Sequence, residues 1–181
     1  MSYRSISFIS LAVTLAACGS NAPQIDPGST AVTFTLSSPA FSMGDLVPKD
    51  ITCTGSNRSP QLSWSSAPSA TQSFVLIMDD PDAPGGTFTH WLLFDIPVAS
   101  SILLEAESTI GLSGTNSFGQ SNYQGPCPPI GRGAHRYFFT LYALNISSLH
   151  LKNGASRNQV EAAIESHIVG QAQLMGKYER K

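Results

Sequence analysis

The chain has 181 residues, a formal net charge of −2 from 10 Lys+Arg and 12 Asp+Glu, and only 12% charged residues against 41% hydrophobic ones. That length fits one domain with its own core, and the apolar share excludes intrinsic disorder, which needs low hydrophobicity and high net charge. The single dense charge run, residues 177–181, sits at the tail, which argues against a nucleic-acid binder built to neutralise phosphates.

From the N-terminus, Arg4 precedes an almost unbroken apolar run, Ile6 to Ala17. As a helix at about 1.5 Å per residue the run reaches roughly 18 Å, short of the ~30 Å hydrocarbon core, so residues 1–17 read as a signal peptide and not as a membrane span. Leu15-Ala16-Ala17-Cys18 is similar to a bacterial lipobox. The similarity implies cleavage before Cys18 and lipidation of its thiol, with multiple acyl chains giving a stable anchor. Gly19 stands where an Asp would favour inner-membrane retention, so outer-membrane sorting is the expectation in a Gram-negative host. Residues 18–30, rich in Gly, Ser, Asn and Pro, read as the lipidated Cys and a flexible tether, and residues 31–181 as the folded domain.

Thr33-Phe34-Thr35-Leu36 and Leu62-Ser63-Trp64 alternate polar and apolar residues, the pattern of half-buried strands. Phe74 to Met78 is continuously apolar, which predicts a central strand buried on both faces; His90 to Ile96 and Arg136 to Leu144 predict two more. Ser156 with Gln159 forms a capping box, followed by Val160, Ile164 and Ile168 at helical spacing and by Gly170 as a stop. Ala172, Leu174 and Gly176 then alternate and predict a closing strand. Several strands and one late helix imply a mostly β fold, an antiparallel Greek-key β-sandwich. With Cys18 lipidated, Cys53 and Cys127 remain. An exported chain meets oxidising conditions, so a disulfide between them is expected, two free buried thiols being the alternative.

Three loops carry the unusual residues. Asp79-Asp80-Pro81-Asp82-Ala83-Pro84-Gly85-Gly86 follows a buried strand, Thr89-His90-Trp91 enters the next, and Gly125-Pro126-Cys127-Pro128-Pro129-Ile130-Gly131 precedes His135-Arg136-Tyr137. A hairpin brings its two rims together, which places Asp80, Asp82 and His90 side by side. Period two puts His135 and Tyr137 on one strand face. If that face meets the rim, imidazoles, a phenol and loop amides frame a small polar pocket suited to phosphate or another oxyanion. Each residue also has a plainer role: Asp80 and Asp82 as turn formers, the histidines as hydrogen-bonded structural residues, Arg136 as a surface ion-pair partner.

Asp80-Pro81-Asp82-Ala83-Pro84, His90-Trp91, Gly125 to Pro129 and Gly133-Ala134-His135-Arg136-Tyr137, in that order, resemble the motifs of the phosphatidylethanolamine-binding proteins, and most closely their bacterial Raf-kinase-inhibitor-like branch, the YbhB/YbcL group. Cys53-Thr54-Gly55, Asn57, Ser59-Pro60, Leu62-Ser63-Trp64, Asn116, Phe118-Gly119, Tyr123 and the segment Gly170 to Tyr178 extend the likeness over about residues 31–180. The resemblance implies a β-sandwich with one anion pocket lined by Asp80, Asp82, His90, Gly125, Pro128, Pro129, His135 and Tyr137. It makes Ala83–Pro84 a candidate cis peptide. Animal members carry Gly where Cys127 stands, and the end at Lys181 implies that the extra C-terminal helix bordering their pocket is missing, which leaves the pocket more open.

The expected function is therefore that of a non-enzymatic, lipid-anchored binding protein of the bacterial cell envelope, its domain in the periplasm or outside the cell. It would hold a small anion or phosphoethanolamine-like head group, with no cofactor, no metal and no nucleic acid. The alternative is an inhibitor or interaction partner of an envelope protease or other enzyme. No His-Glu-x-x-His, Gly-x-Ser-x-Gly or metal-spaced Cys cluster supports an enzyme. Ser113 lacks the elbow pattern, and a Cys53–Cys127 bond would disable Cys127 as a nucleophile.

Overall fold

The structure, a computed structural model, describes residues 33–181. The segments expected to be a signal peptide, a lipidated Cys18 and a tether lie outside the described residues.

The elements follow in chain order: β1 (Thr35–Ser37), β2 (Leu62–Ser65), β3 (Ser73–Asp80), β4 (Phe88–Pro97), β5 (Ile102–Leu103), β6 (Leu112–Ser113), β7 (His135–Leu144), α1 (Arg157–Ile164) and β8 (Ile168–Tyr178). A three-stranded sheet runs β1-β2-β5 and a five-stranded sheet β6-β4-β3-β7-β8, with every pair antiparallel. The chain leaves β4 for the small sheet, returns at β6, and crosses to β7 on the far side of β3.

The apolar run of β3 explains its central place. Every residue but Asp79 is buried, because both sheet faces are covered. Phe74, Leu76 and Met78 face inward and pack with Leu36, Leu62, Trp64 and Leu103 of the small sheet and with Phe139, Leu141 and Leu174 of the large one. Two sheets sharing such a core make a sandwich. Val75 and Ile77, one residue out of phase, face the other way. They form a second cluster with Leu92, Phe94 and Leu144 beneath Val160 and Ile164 of α1. The helix thus forms a third layer.

The expected strands are present, and β5 and β6 join them, two-residue pieces too short to show any periodicity. The Ser156–Gln159 capping box forms in both directions. The helix stops at Ile164, however, and does not run on to Gly170. Ile168, apolar at helical spacing, instead opens β8 opposite Leu144, and the ladder continues through His135↔Tyr178. Pairing along β7 buries Ala172 and Leu174 between the sheets, an outcome that one more helical turn would forfeit. Ala83–Pro84 is trans, as is every peptide bond among the described residues. The turn closes instead through the Gly86 N–H on the Ala83 carbonyl at 3.1 Å, with Gly86 at φ 101°, a conformation that favours glycine. Cys53 and Cys127 are joined, with Cα atoms 5.4 Å apart.

Candidate functional site

Antiparallel pairing brings the distant motifs together. Asp80 ends β3 opposite Phe88, at the start of β4, while Asp79 pairs with Phe138 near the start of β7. Asp80, His90 and His135 therefore share one end of the large sheet. Tyr137 follows His135 on the inward face. All four are buried, with relative exposures of 3%, 3%, 4% and 0% respectively.

Each imidazole is oriented through Nδ1. His135 Nδ1 lies 2.8 Å from Asp80 Oδ2, and His90 Nδ1 lies 2.8 Å from the Gln124 carbonyl. Carbonyl and carboxylate oxygens accept, so Nδ1 carries the hydrogen in both rings and Nε2 is the remaining nitrogen. The side-chain bonds of good geometry are the two made through Nδ1, and the Gly125 backbone also acts on the His90 ring. Burial holds His90 below the ordinary imidazole range, against the opposing pull of the Gln124 carbonyl and the Asp80 charge. Its Nε2 is then a lone pair at neutral pH.

Tyr137 stands edge-on to His90, ring centroids 5.2 Å apart. Its buried hydroxyl makes no protein hydrogen bond of good geometry, although the Asp80 carboxylate and the Cys127 backbone both lie close enough to act on it. Burial first, and the Asp80 carboxylate second, hold the phenol well above its usual range, so it stays an O–H donor. Asp80 also serves its turn, Oδ1 accepting the Asp82 N–H at 2.9 Å; the plain and the functional roles coexist in one side chain.

Asp82 is on the rim, and its carboxylate is engaged by Arg136. Oδ2 accepts the Arg136 backbone N–H and Nε, both at 2.9 Å, and Oδ1 accepts Nη2 at 2.6 Å. These bonds hold Asp82 down at about 2. The ion-pair role of Arg136 is thus realised, and the pair clamps the start of β7 to the Asp-Pro turn.

The Gly125–Ile130 loop forms the opposite wall. The Gly125 N–H donates to Asn57 Oδ1 at 2.8 Å, and a Cβ at Gly125 would overlap the Ile51 carbonyl oxygen. The disulfide and the Cys53 N–H bond to the Pro126 carbonyl (3.1 Å) tie the loop to the 49–57 segment. Pro128 is buried and Pro129 exposed.

Several supporting residues were not among the expected pocket residues. The Gln124 carbonyl fixes His90. Asn116 donates to the His90 carbonyl at 3.3 Å and to the Asn122 carbonyl at 2.8 Å, shaping the loop that presents Gln124. Phe118, 45% exposed, stacks edge-on against Phe88 and His90 with centroids 4.8 and 5.5 Å away, an apolar flank beside the imidazoles. Ser113 lies in β6 with its N–H on Asn153 Oδ1. Among the described residues no three His, Cys, Asp or Glu side chains are arranged to hold a metal. A separate concavity of about 450 Å³ lies on the outer face of β7, lined by Asp79, Arg136, Phe138, Tyr142 and Arg157 among others.

A family model described as phosphatidylethanolamine-binding protein matches residues 37–179. The chain is 49% identical over 146 residues to the UPF0098 protein of Aquifex aeolicus, covering 78% of this chain and 85% of that one. It is 40% identical over 154 residues to LppC, a candidate lipoprotein of Mycobacterium tuberculosis, covering 84% and 76% respectively. Among solved structures it superposes on a phosphatidylethanolamine-binding protein homologue of Chlamydia trachomatis (TM-score 0.78, 37% identity, 82% and 99% covered). It also superposes on YbcL of Escherichia coli (TM-score 0.78, 29% identity, 83% and 100% covered). With the fold, the ordered motifs and these similarities in agreement, the chain belongs to the phosphatidylethanolamine-binding protein family.

Proposed function

We propose that the domain is a non-enzymatic binding module that takes a small oxyanion, such as a phosphoryl head group, between His90, His135 and Tyr137, and that a lipid on Cys18 holds it at the bacterial cell envelope. The observation that carries the reading is the buried Tyr137 hydroxyl with no protein hydrogen bond of good geometry, beside two imidazoles whose Nδ1 atoms are already engaged. Buried polar groups are ordinarily hydrogen-bonded, so an orphan donor next to two available ring nitrogens supports a ligand that completes the set. Asp80 and Gly125 shape the cluster, Pro128 and Pro129 belong to its wall, and Asp82 acts through Arg136. The lipobox-like segment and the likeness to LppC support the anchor.

A fully deprotonated oxyanion such as sulfate only accepts hydrogen bonds, and a neutral imidazole with its hydrogen on Nδ1 offers it none at Nε2. Sulfate binding therefore takes up a proton onto His90 Nε2. Calorimetry with sulfate, whose charge is constant over this range, tests this. The reading expects affinity to rise from pH 8 to pH 6, with proton uptake visible as a buffer-dependent heat, and phosphate and phosphoethanolamine to compete for the same site. No heat with any of the three, or affinity insensitive to pH and to Tyr137→Phe, would sink it.

A further inference from the structure

A second chemical feature lies on the far side of the Gly125–Ile130 loop and does not depend on what the histidine cluster binds. The two sulfurs of the disulfide sit in different surroundings: Cys53 is exposed and Cys127 is half-buried between the buried Pro126 and Pro128. Among the described residues only Cys127 has a cation on its sulfur, Arg180 Nη1 donating to Sγ at 3.1 Å. Arg180 has no carboxylate partner among the described residues, and its Nε is buried with no hydrogen bond. The guanidinium is thus committed to the disulfide. A concavity of about 380 Å³ opens beside Thr54, the residue after Cys53, and is lined by Lys49, Tyr178, Arg180 and Lys181, along with Glu179. Thiol exchange needs an accessible sulfur to attack, and it speeds up when the leaving sulfur is stabilised as a thiolate.

We infer that Cys53–Cys127 is a thiol-exchange site with a fixed direction, in which an anionic thiol attacks the sulfur of Cys53, the exposed residue of the pair, and Cys127 leaves as a thiolate against Arg180. The incoming thiolate forms a bond to Cys53 Sγ as the Cys53–Cys127 bond breaks, and the electron pair of that bond stays on Cys127 Sγ. The product is a mixed disulfide on Cys53 with no net oxidation. A second thiolate attacking the reagent's sulfur releases Cys53 as a thiolate and completes a two-electron reduction. Lys49, Lys181 and Arg180 draw the anionic reagent in, an attraction that salt screens.

The test uses the oxidised full chain in detergent, treated with limiting glutathione at one neutral pH, quenched in acid, alkylated and mapped. Glutathione is expected on Cys53 and the alkyl group on Cys127. Arg180→Gln is expected to slow exchange on the order of tenfold, the scale of one charge a few ångströms from a developing anion in a partly solvated setting. Arg180→Lys should stay within about threefold of the parent, which separates charge from a merely structural role of the tail. Cysteamine, a cationic thiol, should lose to glutathione by more than it does on a free model disulfide, and added salt should narrow the gap. Glutathione found on Cys127, an Arg180→Gln rate equal to the parent's, or no exchange until the protein is denatured would each overturn the inference.

Discussion

Replacing Tyr137 by Phe removes one oxygen and leaves the packing of a fully buried ring intact. In most proteins such a change breaks a hydrogen bond and costs about 1 kcal/mol. Here the hydroxyl makes no protein hydrogen bond of good geometry, so the ligand-free domain has little to lose. Its stability is expected to change by less than about 1 kcal/mol, with a slight gain favoured because an unsatisfied hydroxyl no longer has to be desolvated. For a domain of this size that is a melting shift within roughly 4 °C. Oxyanion binding should respond very differently. A hydrogen bond to a charged group is worth about 1.5–3 kcal/mol, so affinity for sulfate or phosphate should fall by on the order of 10- to 100-fold. Scanning calorimetry on the free protein and titration calorimetry with sulfate measure the two halves separately. A melting loss well beyond 4 °C would show that the hydroxyl already serves a native hydrogen bond, with Asp80 the nearest acceptor. An unchanged affinity would show that it does not touch the ligand.

Other substitutions and conditions follow from the same geometry. Cys53→Ser with Cys127→Ser opens a link spanning 74 residues of sequence and should cost about 4 kcal/mol in the chain-entropy picture; a urea midpoint matching the parent's would refute that. Gly125→Ala drives a methyl into the Ile51 carbonyl and should destabilise by roughly 2 kcal/mol or more while weakening sulfate binding, since the Gln124 carbonyl that orients His90 is the preceding residue. Wild-type thermal stability with unchanged binding would contradict it. Hydrogen bonds from Arg136 hold Asp82 at about 2, well below the ordinary carboxylate range. Its contribution is therefore present above about pH 4 and lost as pH falls toward 2, and it is small because the pair is partly solvated. Acid unfolding of Asp82→Asn should be less steep in that window than the parent's; identical curves would assign the loss elsewhere. His90 acts with its folded value lowered, so its neutral burial supports the fold above the unfolded value near 6.5 and loses that support as pH drops below it.

Much of the site was legible because strand rims obey simple rules. Asp80 at the end of one buried run and His90 at the start of the next had to meet across an antiparallel pair, and His135 and Tyr137 had to share a face. The sequence could not show that Asp82 turns to Arg136, since both readings of that pair satisfy the same residues and only the geometry of the turn chooses. Nor could it show that Gln124 holds His90, because the holding atom is a backbone carbonyl that any residue would carry. Arg180 on Cys127 joins groups 53 residues apart through a tail that looked like a plain charge run. The helix was overextended for a related reason: Val160, Ile164 and Ile168 satisfy helical spacing, but the ladder with β7 claims Ile168, and a long-range pairing leaves no local trace. The disulfide followed from export and cysteine arithmetic, yet only the approach of the two loops could choose it over free thiols.

The most direct test of the binding site is a crystal of the protein soaked with phosphoethanolamine. Phosphoryl density is expected within hydrogen-bonding distance of His90 Nε2, His135 Nε2 and the Tyr137 hydroxyl, with His135 still on Asp80. Phosphoryl density at the outer-face concavity instead, or a cluster closed by neighbouring side chains and left without ligand at saturating concentration, would contradict it.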